Sequence, residues 1–214
     1  MLPSVKFGNY DSMLDFALIR TASTVGEAPV KTNTVEVEGA DGVLDLTEYF
    51  GELFYENRTL EFTFQCIEPI SEFKRIYSEV KNAINGKKMK IILSEDSDFY
   101  YIGRVSVNEW ASNGRIGELS ISCDCEPYKY RKNVTTKTLT VNGTKKVLFQ
   151  NLHKRVVPEF NFSVADMQIK FGTATYTASA GDWSDPRLIF LQGTNEVTFT
   201  GNGTVTVEYQ ERGL

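Results

Sequence analysis

Histidine is almost absent from this sequence, and with it much of the chemistry on which enzymes of this size depend. The chain has 214 residues and 1 histidine, His153, which lies in a polar connection without the serine or cysteine motif of an activated nucleophile. The patterns G-x-x-x-x-G-K-[ST], G-x-G-x-x-G and H-E-x-x-H do not occur. Asp182 and Asp185 have the residue type of a glycosidase pair, but turn chemistry explains their Gly-Asp-Trp-Ser-Asp-Pro segment better. The sequence therefore predicts a protein without catalytic activity.

Cysteine is scarce as well, with 3 residues in the chain. An odd number of cysteines in apolar, strand-like positions favours reduced structural thiols over a disulfide framework. Cys123 and Cys125 are too close together for paired zinc ligands, which are usually separated by about two to four residues. The acidic loop at residues 94–98 lacks the glycine turn and the later glutamate of a calcium loop. No metal and no cofactor is predicted.

Long apolar runs, an N-terminal secretory signal and an excess of basic residues are also missing. No apolar run approaches the ~18 residues of a membrane-spanning helix. Residues 1–7 show neither the basic region nor the cleavage site of a signal peptide. The net charge of -5 argues against nucleic-acid binding, because phosphate groups are bound by clusters of Lys and Arg. We therefore expect no membrane insertion, no specific nucleic-acid binding, and folding in the cytoplasm.

The segment from Thr34 to Cys66 carries the clearest β pattern. Leu60, Phe62, Phe64 and Cys66 alternate with polar residues, which is typical of a strand with one buried face. An earlier strand ends near Asp41-Gly42, a pair that favours the positive φ angles of a hairpin turn. The segment therefore predicts a hairpin followed by a half-buried strand.

One helix and further strands follow in the first part of the chain. Apolar residues at spacings of three and four predict a helix over Pro69–Gly86, capped by Ser71 and ended by Asn85-Gly86. Strands are predicted over residues 90–93 and 99–107 as a second hairpin, with a turn at Asn113-Gly114 and a closing strand over residues 119–125. A polar, basic stretch then predicts a domain boundary near Lys132.

The remaining part reads as short strands separated by turns, without a helix pattern. Turns are predicted at Asn142-Gly143 and at Gly201-Asn202-Gly203. The predicted strands are Leu139–Val141, Lys146–Phe149, Pro158–Val164, Met167–Phe171, Leu188–Leu191, Val197–Thr200 and Thr204–Tyr209. The fold class is therefore mainly β: an N-terminal β-sandwich or barrel-like domain with one α-helix over residues 1–131, and an antiparallel β-sandwich over residues 132–214.

Several short motifs follow one another in a defined order along the chain. The first two are Gly-Ala-Asp-Gly-Val-Leu-Asp-Leu-Thr at residues 39–47 and Tyr-Glu-Asn-Arg-Thr-Leu-Glu-Phe at residues 55–62. The others are Gly86, Tyr101-Ile102-Gly103-Arg104-Val105, Pro127-Tyr128, Leu191-Gln192-Gly193-Thr194-Asn195, Gly201 and Val205 to Tyr209. In this order, the motifs resemble those of the distal tail protein (Dit) family of long-tailed phages and prophages, the siphoviruses.

The resemblance implies a structural virion component at the tail tip, folded in the cytoplasm of a bacterial host. Its N-terminal domain would form a homohexameric ring, the baseplate hub, and its galectin-like C-terminal domain would contact other proteins. The implied partners are the tail tube protein, a tail-associated tip protein and receptor-binding or fibre proteins. We expect the ring interface to use Asp41, Gly42, Asp45, Tyr55, Asn57 and Arg58.

A different class of function remains open from two aromatic residues of the C-terminal part. Trp183 and Tyr176 could stack on sugars or anchor a protein contact, because exposed aromatic side chains serve in both kinds of site. The alternative function is a carbohydrate-binding module that recognises bacterial surface glycans.

Overall fold

The structure, a computed structural model, describes residues 3–112 and 116–214. It forms two compact units, one made of the described residues up to Lys129 together with Leu214, the other of Tyr130–Gly213. Both are built almost entirely from antiparallel strands, which confirms the mainly β fold class. The turn predicted at Asn113-Gly114 lies outside the described residues.

The described residues of the first unit form a main sheet, a helix and a separate two-stranded ribbon. The elements are β1 Val5–Phe7, β2 Tyr10–Asp11, β3 Leu18–Val25, β4 Thr34–Glu36, β5 Val43–Asp45, β6 Arg58–Cys66, α1 Ile70–Ile84, β7 Lys88–Leu93, a 3-10 helix Ser94–Asp96, β8 Phe99–Ser112 and β9 Gly117–Cys125. The sheet has the strand order β2-β1-β7-β8-β9-β6-β3, and β4 pairs with β5 in the ribbon. The helix packs against β8 and β9.

Strand β6 supplies the centre of the first core. Its alternate residues Leu60, Phe62 and Phe64 are buried, as the sequence pattern predicts. They lie opposite Cys123, Ile121 and Leu119 of β9, respectively, so the two strands bury matching faces. The predicted hairpin of β7 and β8 is also confirmed.

Helix α1 buries the predicted apolar stripe of Phe73, Ile76, Val80 and Ile84. The predicted cap at Ser71 is wrong. Pro69 occupies the N-cap position without a side-chain hydrogen bond, and Ser71 lies inside the first turn.

The predicted end of this helix is confirmed, since Asn85 caps it and Gly86 has a φ angle of 74°. The Asn85 side chain also accepts a hydrogen bond from the Val107 amide at 2.9 Å. This bond joins the end of the helix to β8.

The second unit is built from a further set of strands. The elements are β10 Lys129–Arg131, which begins at the last residue before this unit, β11 Thr135–Asn151, β12 Glu159–Phe162, β13 Met167–Phe171, β14 Ala174–Ala178, β15 Gly181–Trp183, β16 Gly193–Tyr209 and β17 Arg212–Gly213. The sheet of this unit has the strand order β14-β13-β16-β12-β15, and β11 pairs with β16 along its whole length. Aromatic side chains fill the core, including Phe149, Phe160, Phe162, Phe190 and Phe199.

The turns predicted at Asn142-Gly143 and Gly201-Asn202-Gly203 are wrong, because both stretches lie inside the 17-residue strands β11 and β16. Gly143 and Gly201 lie opposite each other, with φ angles of 78° and 141°. The Asn202 side chain accepts a hydrogen bond from the Gly143 amide at 3.0 Å. The conformational freedom of these glycines allows an irregularity within two long strands instead of a chain reversal.

The sequence also places some strands of this unit incorrectly. Residues 188–191 form no strand, although Leu188 and Phe190 are buried and Phe190 makes a single bridge with Val156. Strands β14 and β15 were not predicted. Trp183, expected in a loop, lies in β15 opposite Phe160 of β12.

Gly103 of β8 is a site where an added methyl group should be strongly unfavourable. A Cβ atom there would lie 2.3 Å from the Cys125 sulfur and 2.8 Å from the Asp124 carbonyl oxygen. We expect Gly103→Ala to lower the free energy of unfolding by about 1–3 kcal/mol through overpacking, measured by urea denaturation. Ser106→Ala, at an exposed position of the same strand, is the control. Equal stability of the two variants would contradict the prediction.

Candidate functional site

A long connection between β3 and β6, residues 26–57, carries the most exposed apolar surface of the first unit. We call it the arm; its ordered centre is the ribbon of β4 and β5, in which every residue is exposed. Tyr49 and Phe50 are 74% and 77% exposed and contact each other edge to face. The exposed large apolar residues of the arm are Val30, Val35, Val37, Val43, Leu44, Tyr49, Phe50 and Phe54.

The arm is also strongly acidic. Between residues 33 and 57 the sequence contains no lysine or arginine. Apolar side chains and carboxylates therefore share a surface that the single copy leaves exposed. The acidic residues in this range are Glu36, Glu38, Asp41, Asp45, Glu48, Glu52 and Glu56.

Three of the residues predicted for the ring interface lie in the outer part of the arm. Asp41 and Gly42 are in the exposed turn between β4 and β5, and Gly42 has a φ angle of 77°. The Asp45 carboxylate accepts a hydrogen bond from the Thr47 amide at 2.8 Å. Hydrogen bonds from the Thr47 side chain and amide lower the pKa of Asp45.

The other three predicted residues lie where the arm returns to the sheet. Tyr55 forms a bridge with Val30, and its ring lies 6.1 Å from that of Tyr128. The Asn57 side chain donates a hydrogen bond to the Asp124 carboxylate at 3.0 Å. The structure therefore divides the six predicted residues between the outer ribbon and the base of the arm.

Arg58 was expected on the contact surface, but its side chain is only 7% exposed. It is the first residue of β6, on the same face as Leu60 and Phe62, and its guanidinium lies 5.8 Å from the centre of the Tyr101 ring. In the single copy, Arg58 therefore belongs to the buried face of β6.

The sequence did not single out the arm's exposed aromatic residues. Tyr49, Phe50 and Phe54 belong to neither of the quoted motifs and show no strand alternation. The available signal was an aromatic pair within a run of acidic and glycine residues, a composition that does not support a buried core.

Tyr176 and Trp183 are neighbours in the second unit, with ring centres 5.8 Å apart. Trp183 packs edge-on against Phe160 and Phe162, at 5.7 and 6.4 Å, so much of its indole contacts the core. The Arg187 guanidinium lies 5.6 Å from the Tyr176 ring centre. The pair is therefore partly structural.

A cleft of about 520 Å³ lies beside Trp183. Glu159 and Glu208 are directly opposite each other on β12 and β16, which places two carboxylates close together. An aromatic wall with nearby carboxylate, amide and hydroxyl groups has the composition of a small polar ligand site. The other lining residues are Phe160, Asn161, Asp182, Ser184 and Thr206.

The thiols are not arranged for chemistry. Cys66, Cys123 and Cys125 are buried and unpaired. Burial raises the pKa of the Cys66 and Cys123 thiols and raises that of Cys125 to about 12, so all three remain protonated at neutral pH. Across residues 3–112 and 116–214, His, Cys, Asp and Glu form no group of three or more that could hold a metal ion.

No helix within the described part of the chain has the length and apolar character required to cross a membrane.

Comparison with known proteins identifies the fold. No protein-family model and no curated protein matches this sequence. Among solved structures, the chain is similar to the Dit protein of phage SPP1, described as a paradigm of the hub adsorption apparatus in phages that infect Gram-positive bacteria. The TM-score is 0.76 at 13% sequence identity, and the alignment covers 100% of both chains.

This likeness agrees with the class of structure seen here, a mainly antiparallel β protein of two units with a helix in the first unit. More particularly, the chain has the fold of a phage distal tail protein, as its sequence motifs predict. A conserved protein of unknown function from Pseudomonas aeruginosa PAO1 also aligns, at 11% identity over 90% of this chain and 100% of that chain. Its TM-score of 0.30 is too low to support a conclusion.

We expect Trp183→Ala to lower the free energy of unfolding by about 2 kcal/mol, because the half-buried indole packs on Phe160 and Phe162. Urea denaturation followed by circular dichroism measures the change. Trp183→Phe retains an aromatic ring and should lose less than half as much. An alanine variant as stable as the wild type would show that the indole is available for a ligand instead.

The Asp185–Arg187 pair predicts a defined pH dependence. Arg187 donates two hydrogen bonds to Asp185, at 2.9 and 2.7 Å, and its side chain holds the pKa of Asp185 at about 2. An unfolded aspartate titrates near about 3.9, so the stabilising contribution is present above that pH and is lost as the pH falls through about 2. The stability difference between wild type and Asp185→Asn should therefore shrink between about pH 6 and about pH 2. A difference of constant size would contradict this assignment.

Proposed function

We propose that this protein is a structural component of a phage tail tip that assembles as a hexameric ring, the baseplate hub. The ring joins the tail tube to receptor-binding or tail-fibre proteins. The first unit assembles the ring, and the second unit contacts the attached proteins. Fold likeness over the full length of both chains supports this role, and the sequence motifs independently point to the same family.

The exposed arm is the observation that carries the assembly part of the proposal. Folded proteins that act alone rarely leave a large contiguous apolar patch in water, whereas surfaces of this kind mark contacts with other proteins. Burying Tyr49 and Phe50 in a neighbouring copy would remove their apolar area from water, at about 25 cal/mol per Å². Burial of these side chains in a neighbouring copy would therefore favour association of copies, because the arm's own unit leaves them exposed to water.

The solution mass across a concentration series tests the ring directly. Light scattering should show a species of six 24.1 kDa chains, and negative-stain images of it should show six-fold rings. The tail tube protein is added if the isolated chain remains monomeric. A mass of one chain under both conditions would contradict the proposed assembly.

The double substitution Tyr49→Ser and Phe50→Ser tests the role of the arm. Because both side chains are exposed, we expect the fold to be retained and the concentration for half-assembly to rise about tenfold or more. Leu14→Ser, at an 83% exposed residue outside the arm, is the matched control and should assemble normally. Equal assembly of the double variant and this control would exclude these aromatic side chains from the interface.

The cleft beside Trp183 favours a second candidate function, binding of a bacterial surface glycan by the second unit. It combines an indole edge with the polar groups of Asn161, Asp182 and Thr206. A glycan array tests it, with Thr206→Val as a variant that leaves the aromatic packing unchanged. Specific retention that is lost in this variant would support glycan binding, and the absence of retention by the wild type would reject it.

A further inference from the structure

Arg58 is a buried cation that forms no ion pair with any residue the structure describes. Its Nε atom is buried and makes no hydrogen bond, and within the part of the chain that the structure describes its guanidinium forms no ion pair. The contact with the Tyr101 ring compensates only weakly for lost hydration. Buried arginines are normally paired, because an isolated buried charge is costly. Its charge therefore lacks compensation from a carboxylate among the described residues.

A cleft of about 450 Å³ in the first unit gives access to this side chain. The other residues of its lining are Val25, Gly26, Glu27, Ala28, Tyr101, Lys129 and Leu214.

The cleft wall opposite Arg58's strand is fixed by backbone contacts. The Gly26 amide donates a hydrogen bond to the Thr59 carbonyl oxygen at 2.9 Å. A Cβ atom on Gly26 would lie 2.7 Å from that oxygen, so the close approach requires glycine.

Among the charged side chains that line the cleft, Arg58 is a cation without an ion pair in the described structure. Lys129 already pairs with Asp96 at 2.7 Å. Glu27 lies on the lining with an exposed side chain and makes no ion pair with Arg58 in the described structure. A planar guanidinium matches a carboxylate through two parallel hydrogen bonds, so the chemistry of the cleft selects a carboxylate.

We propose that the Arg58 cleft binds an aspartate or glutamate side chain from residues 33–57 of the arm of a second copy of this chain. The inference rests on the proposed ring. Charge complementarity identifies the occupant, because the arm is rich in carboxylates and has no cation between residues 33 and 57. Asp45 is a less suitable occupant, since its carboxylate already accepts a hydrogen bond from Thr47.

This arrangement joins two different surfaces of the same protein. The arm of one copy enters the cleft of the next, which is the head-to-tail contact from which a closed ring is built. Burying the pair between copies also excludes water from it, which strengthens the interaction of the two charges.

The variant Arg58→Met separates a binding role from a structural one. Removing an unpaired buried charge while retaining a long apolar side chain should leave the melting temperature of the single copy unchanged or higher. Loss of one partner of a buried ion pair between copies should weaken association by about 30-fold or more. A purely structural Arg58 predicts the reverse, a lower melting temperature with association unchanged in the folded fraction.

Two further arginine variants sharpen the comparison. Arg58→Lys keeps the charge but not the paired hydrogen bonds, so it should recover only part of the association. Arg104→Met is the matched control, since Arg104 is an exposed arginine of the same unit that donates to the Gly86 carbonyl oxygen outside the cleft. Association weakened equally by Arg58→Met and Arg104→Met would overturn the proposal.

Neutral arm variants identify the occupant. Glu36→Gln with Glu38→Gln, Asp41→Asn, and Glu48→Gln with Glu52→Gln are each combined with Arg58→Met in a double-mutant cycle on the association constant. One set should lose its own effect in the Arg58→Met background, which supports the proposal. Additive effects for all sets, together with an additive Glu56→Gln, would overturn the arm as the source of the carboxylate.

A wild type that is monomeric at every concentration separates failure of the ring from failure of the site. In that case the open cleft is tested with acetate as the carboxylate probe, against chloride at equal ionic strength. Acetate at about 100 mM should raise the melting temperature of the wild type and of Arg104→Met by about 3 °C more than that of Arg58→Met. Equal shifts in all three proteins would overturn the carboxylate site, independently of the ring.

Discussion

The pairing of β6 with β9 is the contact on which the rest of the first unit depends. It runs from Arg58 opposite Cys125 to Cys66 opposite Gly117 and buries the side chains at the centre of the core. The same strand receives the returning arm at its first residue. Packing in the core and presentation of the arm are therefore coupled, because displacement of β6 would move the base of the arm with it.

The elements that were predictable from sequence are those in which side-chain periodicity and burial agree. The alternation in β6 and the stripe on α1 each report a face that contacts the core. The Asn-Gly motif at residues 142–143 led to a wrong turn prediction. Such a motif indicates only that a positive φ angle is permitted, and a long strand can contain such an angle as well as a turn. The strand predicted at residues 188–191 was wrong because an apolar run can be buried without pairing to a neighbouring strand. Phe190 makes a single bridge there.

The functional surfaces were predictable only in part, for a related reason. The association of Tyr176 with Trp183 depends on the position of β15, which no local pattern indicates. Arg58 is different. It has the same parity as Leu60 and Phe62, so the alternation that identified the strand already assigned Arg58 to the buried face. Its charge predicts a surface position, whereas its place in the strand alternation predicts a buried one. The structure follows the alternation, because the buried neighbours Leu60 and Phe62 fix the register of the strand.

The combination of charge and apolar area on the arm restricts how copies can meet. Two arms in direct contact would bring carboxylates together without a cation between residues 33 and 57 of either, and like charges at close range oppose association. The exposed aromatic residues nevertheless favour burial. Both requirements are met when an arm contacts a different surface of the next copy, one that offers positive charge. A contact between unlike surfaces does not close in a symmetric pair; it continues from copy to copy, and it gives a ring only where the rotation between copies closes.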